Sequence, residues 1–447
     1  MSKATISQDI SYKAIKNLSG SEQDKINFMT ENMHINKAFL YYTKDKSKKE
    51  QEEILKEFKK RYLNYRSGWR GQPQNCFNKK LFGDSFQKLE LSPLCIDLEL
   101  ASVCDLACPH CFRQTVATPD KIMNKKLAFK LIDQAAELKV PSMKFNWRGE
   151  PLLNPAIFEI INYAKSSGVL ETIINTNATE LDEEASKKII KSGLDLMIYS
   201  FDGGTKSSYE KMRPGRFKEN TFDKVIKNIR KFSEIKNNLK AKFPRTKIQM
   251  VLTKDTRNEQ KEFFDLFKDI VDDVSVKQYS ERGGKLKDID EKLKTDAMKK
   301  LKNKQIENAE VLFDIDNTIF ISQKRLPCEQ PFQRLQITYD GKVSMCCYDW
   351  GSSHSVGYVD ELAIKTGSND LKKIFDKAKN GAKGFELMNL EKIENFNKPE
   401  QVVCSIKEIW HNAHINKVRK KHVEGKIEDV EICKNCSFKD TYKWERI

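Results

Sequence analysis

Apolar and polar residues alternate along residues 93–280 in a pattern that predicts strands and helices in turn. Short apolar runs such as Leu196-Met-Ile-Tyr199 have no polar face, which is typical of parallel strands covered by helices. The predicted strands are 95–101, 142–147, 170–175, 194–201, 247–252 and 273–277. The helical periodicity between them predicts helices at 125–138, 156–167, 183–192, 221–235 and 257–270. Six such units in a row predict an α/β fold, a partial (β/α)6 TIM-like barrel.

The sequence on either side of this region has a different character. Residues 1–92 are predicted as a helical, basic extension, with an amphipathic stretch at 51–65 that glycines and a proline interrupt at 65–73. Residues 281–327 are predicted as a charged, mostly helical connector. Beyond it, two β-like runs flank Asp340-Gly341, a strong turn signal for a hairpin. We predict a small C-terminal domain of hairpin and helix over 328–447, with an insertion at about 361–402.

Composition narrows the class of protein. No apolar run reaches the ~18 residues that a membrane span needs, and residues 1–16 lack the apolar core of a signal peptide. We therefore predict a cytoplasmic protein with no membrane partner. Most of the net charge of +16 is assigned to a solvated Lys-rich surface. Because the sequence contains no recognised nucleic-acid-binding module, a nucleic-acid partner is not expected. The eleven cysteines then indicate metal ligands or reactive thiols rather than disulfides.

Three cysteines follow the first predicted strand in a C-x3-C-x2-C run. Cys104, Cys108 and Cys111 can hold three corners of a four-iron cluster and leave one iron open for a ligand. The alternative for the same residues is a structural zinc site in which His110 completes a Cys3His set. Chemistry in α/β barrels lies at the C-terminal ends of the strands, and this loop falls there.

A second group of cysteines lies near the C-terminus. From spacing alone, four of them can hold a single structural zinc ion. They are Cys328, Cys346, Cys433 and Cys436. Cys347 is a rival ligand for Cys346, and Cys404 is a further candidate.

These residues and motifs resemble those of the radical S-adenosylmethionine (SAM) superfamily, with a C-terminal extension of the Twitch/SPASM type. The resemblance implies that Cys104, Cys108 and Cys111 hold a [4Fe–4S] cluster whose open iron binds the amino and carboxylate groups of SAM. It also implies one auxiliary [4Fe–4S] cluster in the C-terminal domain. Because no cysteine follows Cys436, the shorter Twitch-like version is indicated.

The resemblance extends to SAM-binding residues at the ends of the predicted strands. Glu150 is expected to accept a hydrogen bond from the SAM ammonium, with Gly149 allowing the close approach, and Arg213 is expected to meet the SAM carboxylate. Read singly, Asn175, Ser200 and Asp202 also fit ordinary turn caps. The full predicted set is Arg148, Gly149, Glu150, Pro151, Asn175, Asn177, Ser200, Asp202 and Arg213.

The implied chemistry is reductive cleavage of SAM to a 5′-deoxyadenosyl radical that abstracts hydrogen from a substrate C–H bond. The implied electron donor is a flavodoxin or a ferredoxin-type protein. We predict oxidation or epimerisation of a carbohydrate or aminocyclitol, including nucleotide- or phosphate-linked forms. The alternatives are radical modification of a peptide or protein, including sulfatase-type maturation, and a non-catalytic metal-binding scaffold.

An epimerase would return a hydrogen atom to the substrate from a thiol. Cys347 is the first candidate for that catalytic role, because it stands beside the predicted auxiliary site. The other spare thiols are Cys404, Cys95 and Cys76. Candidate substrate-contacting groups after the sixth strand are Lys277, Tyr279, Glu281 and Arg282.

Overall fold

The computed structural model describes residues 22–114, 118–217, 219–279, 295, 299, 311–313, 319–366, 401–434, 436, 438 and 441–446. All six predicted barrel strands are confirmed, within a few residues at each end. They are β1 Cys95–Leu98, β2 Ser142–Lys144, β3 Glu171–Thr176, β4 Leu196–Ser200, β5 Arg245–Leu252 and β6 Asp273–Gln278. Each pairs in parallel with the next.

The helices of the described chain cover the sheet and its ends. The predicted barrel helices are confirmed, and a short helix at Lys206–Met212 was not predicted. In the N-terminal extension the helices are α1 Glu22–Glu31, α2 Lys37–Thr43, α3 Lys48–Lys79 and α4 Asp84–Gln87. In the barrel they are α5 Lys125–Glu137, α6 Ile157–Ser166, α7 Glu183–Ser192, α8 Lys206–Met212, α9 Phe222–Asn238 and α10 Gln260–Phe267. Those that follow are α11 Gln330–Gln333, α12 Ile406–His411, α13 Ala413–Val423 and α14 Glu431–Lys434.

Strands outside the barrel form a second sheet and extend the first. These are β7 Val311–Phe313, β8 Ile319–Arg325, β9 Arg334–Ile337, β10 Lys342–Ser344, β11 Ser355–Tyr358 and β12 Tyr442–Arg446. The larger sheet runs β11-β10-β9-β1-β2-β3-β4-β5-β6, with β9 parallel to β1. The predicted hairpin is β9–β10, and Gly341 at its turn has φ +96°. Because β11 and β6 are both edges among the described strands, the barrel is partial.

The two faces of the barrel strands are buried to different extents. In β3, β4 and β5, residues that point to the helices are buried, and the alternate residues on the inward face are half-buried except Glu171 and Lys247, which are buried. Ile174, Met197 and Ile248 belong to the core under the helices. Because neighbouring side chains on a strand point to opposite faces, the inward face lines an accessible interior. The predicted active region therefore opens onto a cavity enclosed by the curved sheet.

The predicted helical character of the connector is wrong at its C-terminal end, although the described residues 295 and 299 are helical. Residues 311–313 and 319–325 are strands, and β8 pairs antiparallel with β7 and with the distant β12. The charged composition suggested helix, but pairing with a segment more than a hundred residues away supplied the ladder that favours strand. Residues 281–294, and most of the predicted insertion at 361–402, lie outside the described residues; 361–366 are helical.

The predicted interruption of the N-terminal helix at 65–73 is also wrong, because α3 passes through it unbroken. Pro73 has no N–H and so cannot bond the carbonyl of Trp69 four residues earlier. The side-chain amide of Gln333 donates to that carbonyl, and Gln72 donates to the carbonyl of Phe332 at 2.7 Å. Contacts from α11 therefore satisfy the helix at its weakest point and attach it to the C-terminal part of the chain.

One apolar core joins the regions that the sequence suggests as separate domains. Phe86 of α4, Leu335 of β9 and Trp410 of α12 belong to the same buried cluster as the barrel strands. The domain boundaries at 92, 280 and 327 stay predictions, since packing runs across the first and last of them. Within the described residues, no helix is both long enough and apolar enough to cross a membrane.

Candidate active site

The loop that carries the first three cysteines follows β1 and is held by the segment after α8. Leu106 forms a β-bridge with Gly215, and the Ala107 N–H donates to the carbonyl of Pro214 at 2.8 Å. The Arg216 N–H donates to the carbonyl of Asp105 at 2.7 Å. This backbone ladder fixes the loop at the C-terminal end of the barrel, as the sequence predicts.

The three thiols of this loop lie close enough to influence each other. Burial raises the pKa of Cys108 to about 12, against the opposing effect of Arg213, and Cys111 raises it further. Burial and the neighbouring Cys108 also raise the pKa of Cys104. Buried thiols whose pKa is raised in this way are stabilised as thiolates by metal coordination. The set fits the three-cysteine corner of an iron–sulfur cluster.

Neither cysteine group forms a site for one metal ion within the part of the chain that the structure describes. In the described parts of the chain, no three His, Cys, Asp or Glu side chains lie close enough to share one metal ion. A four-iron cluster puts each thiolate on its own iron, so its ligands stand farther apart than the ligands of one ion. A cluster therefore does not require its cysteine ligands to surround one point.

Gly149 lets the loop after β2 lie directly against the end of β1. Its φ is +69°, and a Cβ there would stand 2.4 Å from the carbonyl oxygen of Val103 and 2.5 Å from that of Ala101. The next residue, Glu150, donates its N–H to the carbonyl of Val103 at 2.8 Å. The close approach that requires glycine is therefore to the chain that leads into the cysteine loop.

Glu150 is a buried carboxylate held by three donors. It accepts from the Leu152 N–H at 3.1 Å, the Thr176 hydroxyl at 2.7 Å and the Asn177 N–H at 2.7 Å. Burial raises its pKa to about 7 in spite of these donors. Pro151 follows it as the first residue of a 3-10 turn. The carboxylate ties the end of β2 to the end of β3, and a cationic ligand there would favour its charged form.

Asn177 forms a hydrogen bond with the cysteine loop in this structure. Its side-chain amide donates to Asp105 Oδ1 at 2.7 Å, and its own oxygen accepts from the N–H of Thr179 at 2.9 Å. The Thr179 hydroxyl also donates to Asp105. Asp105, which the sequence analysis did not select, therefore anchors the loop between the first two cysteines to the end of β3. Its place within the C-x3-C run was the available signal.

Asn175 and Ser200 end β3 and β4 on the inward face, and both are half-buried. Asn175 donates its N–H to Asn146 Oδ1 at 2.8 Å. Its own side-chain oxygen is buried with no hydrogen-bond partner among the described residues. A buried acceptor without a donor costs free energy, so this oxygen suits a ligand that brings an N–H or O–H group.

Asp202 and Arg213 form an ion pair under the cysteine loop. Arg213 Nη2 lies 2.7 Å from Asp202 Oδ2, and His110 Nε2 lies 3.5 Å from the same oxygen. Burial opposes the charge of Arg213, but Asp202 outweighs it and the pKa of the guanidinium is raised. Arg213 Nε has no hydrogen-bond partner among the described residues, so a donor is left for the predicted SAM carboxylate. His110 thus faces Asp202, which links the loop to the end of β4.

The side chain of Arg148 is engaged away from the predicted SAM site. Its Nη2 donates to Glu99 Oε2 at 2.7 Å, its Nε donates to the other oxygen of the same carboxylate, and its Nη1 donates to the carbonyl of Trp350 at 3.2 Å. The pair is almost fully buried. Arg148 therefore joins the end of β1 to the C-terminal part of the chain, and a direct SAM contact stays a prediction.

The four C-terminal cysteines converge in the structure. Burial raises the pKa of Cys346, and the nearby thiols of Cys347, Cys328, Cys436 and Cys433 raise it further. Cys328 lies in the turn before α11, Cys346 follows the hairpin, Cys433 lies in α14 and Cys436 follows that helix, so the set combines segments that are far apart in sequence. The set fits the auxiliary cluster that the sequence suggests.

The spare thiols lie in different surroundings. Cys347 Sγ is 3.5 Å from Gln330 Oε1, and the carbonyl of Cys347 accepts from the Trp147 indole at 3.0 Å. The Cys404 N–H donates to the carbonyl of Tyr358, beside β11. Cys95 lies on the inward face of β1, and Cys76 is buried on α3. Cys347 is thus at the border between the barrel and the auxiliary site.

Two of the four predicted rim groups can be located. Lys277 is half-buried on the inward face of β6, and Tyr279 is buried just beyond it. Glu281 and Arg282 lie outside the described residues. Three residues close to the predicted sites were not predicted from the sequence. They are Asp105, Glu99 and His422, a buried histidine beside the C-terminal cysteines.

Comparison with known proteins identifies two regions of the chain. A family model of the radical SAM superfamily matches residues 98–267, and a model of an iron–sulfur cluster-binding domain, SPASM, matches residues 328–384. These segments contain the cysteine loop with all predicted SAM-binding residues, and the β9–β10 hairpin with Cys328 and Cys346. Domains of these two kinds bind [4Fe–4S] clusters and SAM.

Curated relatives match over part of their length. The chain is 32% identical over 129 residues to the AdoMet-dependent heme synthase of Methanosarcina barkeri, covering 28% of this chain and 36% of that protein. It is 33% identical over 108 residues to the tungsten-containing aldehyde ferredoxin oxidoreductase cofactor-modifying protein of Pyrococcus furiosus, covering 24% and 30%. The mycofactocin maturase MftC of Mycolicibacterium smegmatis is 23% identical over 180 residues, covering 40% and 43%. The chain thus spans well under half the length of each.

Solved structures with a similar arrangement include BtrN in complex with AdoMet and 2-DOIA. That match has 17% identity and a TM-score of 0.42, and covers 77% of this chain and 93% of that one. Another is SuiB of Streptococcus suis bound to precursor peptide SuiA, with 16% identity, a TM-score of 0.43 and coverage of 72% of each chain. The two family models show that the chain carries a radical SAM domain over residues 98–267 and a SPASM iron–sulfur cluster-binding domain that begins at residue 328.

Proposed function

We propose that this protein cleaves SAM reductively and uses the resulting radical to remove hydrogen from a small polar substrate, a carbohydrate or an aminocyclitol, inside the barrel. The observation that carries the substrate class is the inward face of the sheet. Its half-buried positions include Lys144, Gln249 and Lys277 as well as apolar side chains. A cavity lined in this way offers several hydrogen-bonding groups to a hydroxylated molecule.

The residues around the cysteine loop support SAM binding. When bound, the cluster and SAM supply a 5′-deoxyadenosyl radical. Glu150 offers a buried carboxylate to the SAM ammonium, and Arg213 offers the Nε–H that Asp202 leaves unused. The unpartnered oxygen of Asn175 is available to a donor on the nucleoside. Because the helices bury the outer face and α3 covers the lower end, these two sides of the interior are shielded from bulk water, which suits a reactive intermediate.

Two outcomes for the substrate are compatible with the residues present. In an oxidation, a group on the inward face would take a proton from the substrate radical, and a cluster held by the C-terminal cysteines would accept the second electron. In an epimerisation, the thiol of Cys347 would donate a hydrogen atom to the substrate radical, and one electron from the external donor with one proton would return the Cys347 thiyl radical to the thiol. The thiol adjoins Gln330, and its residue contacts Trp147 of the barrel, which supports a position between the auxiliary site and the interior. The electron donor is proposed to be a flavodoxin or ferredoxin-type protein, attracted by the basic surface.

Modification of a peptide is the second candidate. The match to the mycofactocin maturase, over 40% of this chain, favours it. A peptide needs a longer opening than a sugar does, and the lower end of the barrel is occupied by α3, where Tyr62 and Tyr65 donate to Glu171 at 3.2 and 3.0 Å. This closure favours the small substrate.

The test of the radical chemistry is anaerobic. Iron and sulfide are counted in the reconstituted protein and in the Cys104/Cys108/Cys111→Ala triple variant, and 5′-deoxyadenosine is assayed with dithionite and SAM. We expect about eight irons to fall to about four, with 5′-deoxyadenosine lost. One zinc ion and no SAM cleavage in either protein would instead mean a metal-stabilised scaffold.

A matched pair of variants tests the roles of the adjacent cysteines. Cys346→Ala should lower the iron content by about four, because it removes an auxiliary ligand. Cys347→Ala should keep the iron content and the cleavage of SAM. For an epimerase it should also abolish uptake of solvent hydrogen into product, whereas a dehydrogenase would be unaffected.

A further inference from the structure

A charged cluster lies on the inward face of three adjacent strands, β2, β1 and β9. Asp97 of β1 is in register with Lys144 of β2 on one side and with Gln336 of β9 on the other. Arg334 lies two residues before Gln336 and opposite Cys95. Their neighbours along the strands, such as Ile96 and Leu335, pack into the core under the helices. The cluster therefore faces the interior.

The charges of the cluster do not balance. Asp97 accepts from Arg334 Nη1 at 3.2 Å, from the Gln336 amide at 3.2 Å and from the Cys95 thiol at 3.3 Å. Its one negative charge is thus matched by Arg334. Lys144 forms no ion pair among the described residues, although Asp97 lies near enough to favour its charge. Two cations and one carboxylate leave a surplus positive charge inside the barrel.

Further features point to a missing partner rather than to a self-contained network. Arg334 Nε, a hydrogen-bond donor, is buried with no partner among the described residues. The guanidinium of Arg334 lies 4.7 Å from the ring centre of Trp69 on α3, so its position is fixed. Burial lowers the pKa of Lys144, the usual effect of desolvating an unpaired ammonium. A buried charge without a counter-charge is costly, and an anion would offset that cost.

We propose that Lys144 and Arg334 form a subsite for an anionic group of the substrate, a carboxylate or a phosphate. The inference rests on the proposed function, because it assumes that the substrate enters the barrel interior. Cys347 lies within electrostatic range of both cations. A substrate held by its anionic group at this subsite would therefore extend past the candidate hydrogen donor.

The test is anion binding to the reconstituted holoenzyme with saturating SAM, so that the site of the SAM carboxylate is already filled. Inorganic phosphate and malonate are titrated separately by anaerobic calorimetry, which separates the two sources of negative charge. Lys144→Met removes the charge and keeps the length of the side chain. Lys125→Met is the matched control, because Lys125 is an exposed lysine that pairs with Glu159 at 2.7 Å.

We expect one of the two anions to bind the wild type, and its Kd to rise roughly 10-fold to 100-fold in Lys144→Met but not in Lys125→Met. SAM cleavage by the wild type and by Lys125→Met, assayed without substrate in the same preparations, separates this inference from the radical chemistry itself. Equal anion affinity in Lys144→Met and in wild type, or no binding of either anion to wild type, would overturn the subsite.

A different observation carries a second inference, at the auxiliary site. The Cys328 N–H donates to His422 Nδ1 at 3.0 Å, and His422 Nε2 lies 3.6 Å from Cys433 Sγ. Because Nδ1 accepts a hydrogen bond, the ring proton of the neutral imidazole must be on Nε2. That N–H is directed at the sulfur of a predicted cluster ligand. His422 is fully buried, so water does not compete for it.

We infer that His422 is a positioning residue that donates an N–H···S hydrogen bond to the auxiliary cluster and raises its reduction potential. A donor stabilises the more negative, reduced form of a cluster more than the oxidised form. His422 also spans two ligands, because it receives from the backbone of Cys328 and donates to the side chain of Cys433. Its place on α13 then couples the potential to the packing of that helix.

The readout is the midpoint potential of the auxiliary cluster, measured by spectroscopic redox titration in the Cys104/Cys108/Cys111→Ala background, where it is the sole cluster expected. His422→Asn keeps an acceptor near the Nδ1 position and removes the donor to Cys433. His422→Gln puts an amide near the Nε2 position and should restore the donor. His414→Gln, on the same helix, is the control for changes in α13.

We expect the midpoint potential of the auxiliary cluster to be about 59 mV lower in His422→Asn than in the wild type. For a one-electron couple, this shift means that the ratio of reduced to oxidised cluster at the wild-type midpoint potential falls about tenfold. His422→Gln should recover most of that shift, with the iron content unchanged in all variants. An unchanged midpoint in His422→Asn, or equal shifts in the Asn and Gln variants, would overturn the inference. Loss of iron from both would also do so, since it would mean a purely structural role.

Discussion

Gly149 offers a sharp test of how the cysteine loop is held. A methyl group at this position would stand 2.4 Å from the carbonyl oxygen of Val103, 2.5 Å from that of Ala101 and 2.7 Å from the carbonyl carbon of Ser102. All three atoms belong to the backbone that runs from β1 into the cysteine loop. None can rotate away as a side chain could, so Gly149→Ala must move either this backbone or the loop after β2.

Two costs add in Gly149→Ala. A non-glycine residue at a left-handed φ loses about 1–2 kcal/mol, and overpacking a rigid site costs about 1–3 kcal/mol more. Gly425→Ala is the matched control, because Gly425 has φ +72° and an added Cβ would meet nothing within 4 Å. The difference between the two variants isolates the steric part. It should appear as about 1–3 kcal/mol of lost stability and as weaker retention of iron at the first site.

The assay is anaerobic thermal unfolding of both variants, together with iron content after gel filtration. Gly425→Ala should lower the midpoint slightly and keep its iron. Gly149→Ala should lower it further and lose up to about four irons, because the displaced loop carries the three ligands. If the two variants unfold at the same temperature and retain the same iron, the contact between Gly149 and the β1 backbone does not hold the loop.

Three more predictions follow from buried contacts. Gln333→Leu should destabilise the protein by about 1–3 kcal/mol, because it leaves the carbonyl of Trp69 in α3 unpaired. In a Pro73→Ala background, residue 73 has an N–H that can bond this carbonyl, so a double-mutant cycle in urea should show a smaller loss of stability. Arg148→Met should cost about 3–5 kcal/mol because Glu99 is left buried and unpaired, and limited proteolysis should then cut near residue 350 faster than in wild type. Burial raises the pKa of Glu150 to about 7, so in the apoprotein the contribution of Glu150 to the free energy of unfolding is fully present below the ordinary pKa of about 4.5 and is lost as the pH rises through 7. The free energy of unfolding of Glu150→Gln, measured from about pH 4.5 to about 8, should lack this pH-dependent contribution. Equal pH profiles of the variant and the wild type would contradict it.

The architecture brings the two cysteine groups into one folded unit. β9, which follows Cys328, pairs in parallel with β1, which leads to the first cysteine loop. The same sheet therefore positions the ligands of both predicted clusters, and Arg148 reinforces the join through Glu99 and Trp350. Because the interior is lined by β9 as well as by the barrel strands, the C-terminal part of the chain contributes directly to the candidate substrate cavity.

Local pattern was enough to predict the six barrel strands, their helices, the hairpin at Asp340-Gly341 and both cysteine groups. Alternation of strand and helix depends on nearest neighbours in the chain, and a C-x3-C-x2-C run is a local signal that needs no tertiary contact. The predicted SAM-binding residues other than Arg213, which follows α8, likewise fall near strand ends, where parallel strands bring loops together.

Long-range contacts decided the rest. α3 continues through Pro73 because Gln333, 260 residues later, supplies the missing donor to Trp69. β8 is a strand because β12 pairs with it. Arg148 and Asn177 bind other protein groups because Glu99 and Asp105, distant in sequence, stand opposite them. The sequence by itself determined the order of elements and the chemistry they carry, but the partner of each buried polar group depends on which segments meet, and only the tertiary structure decides that.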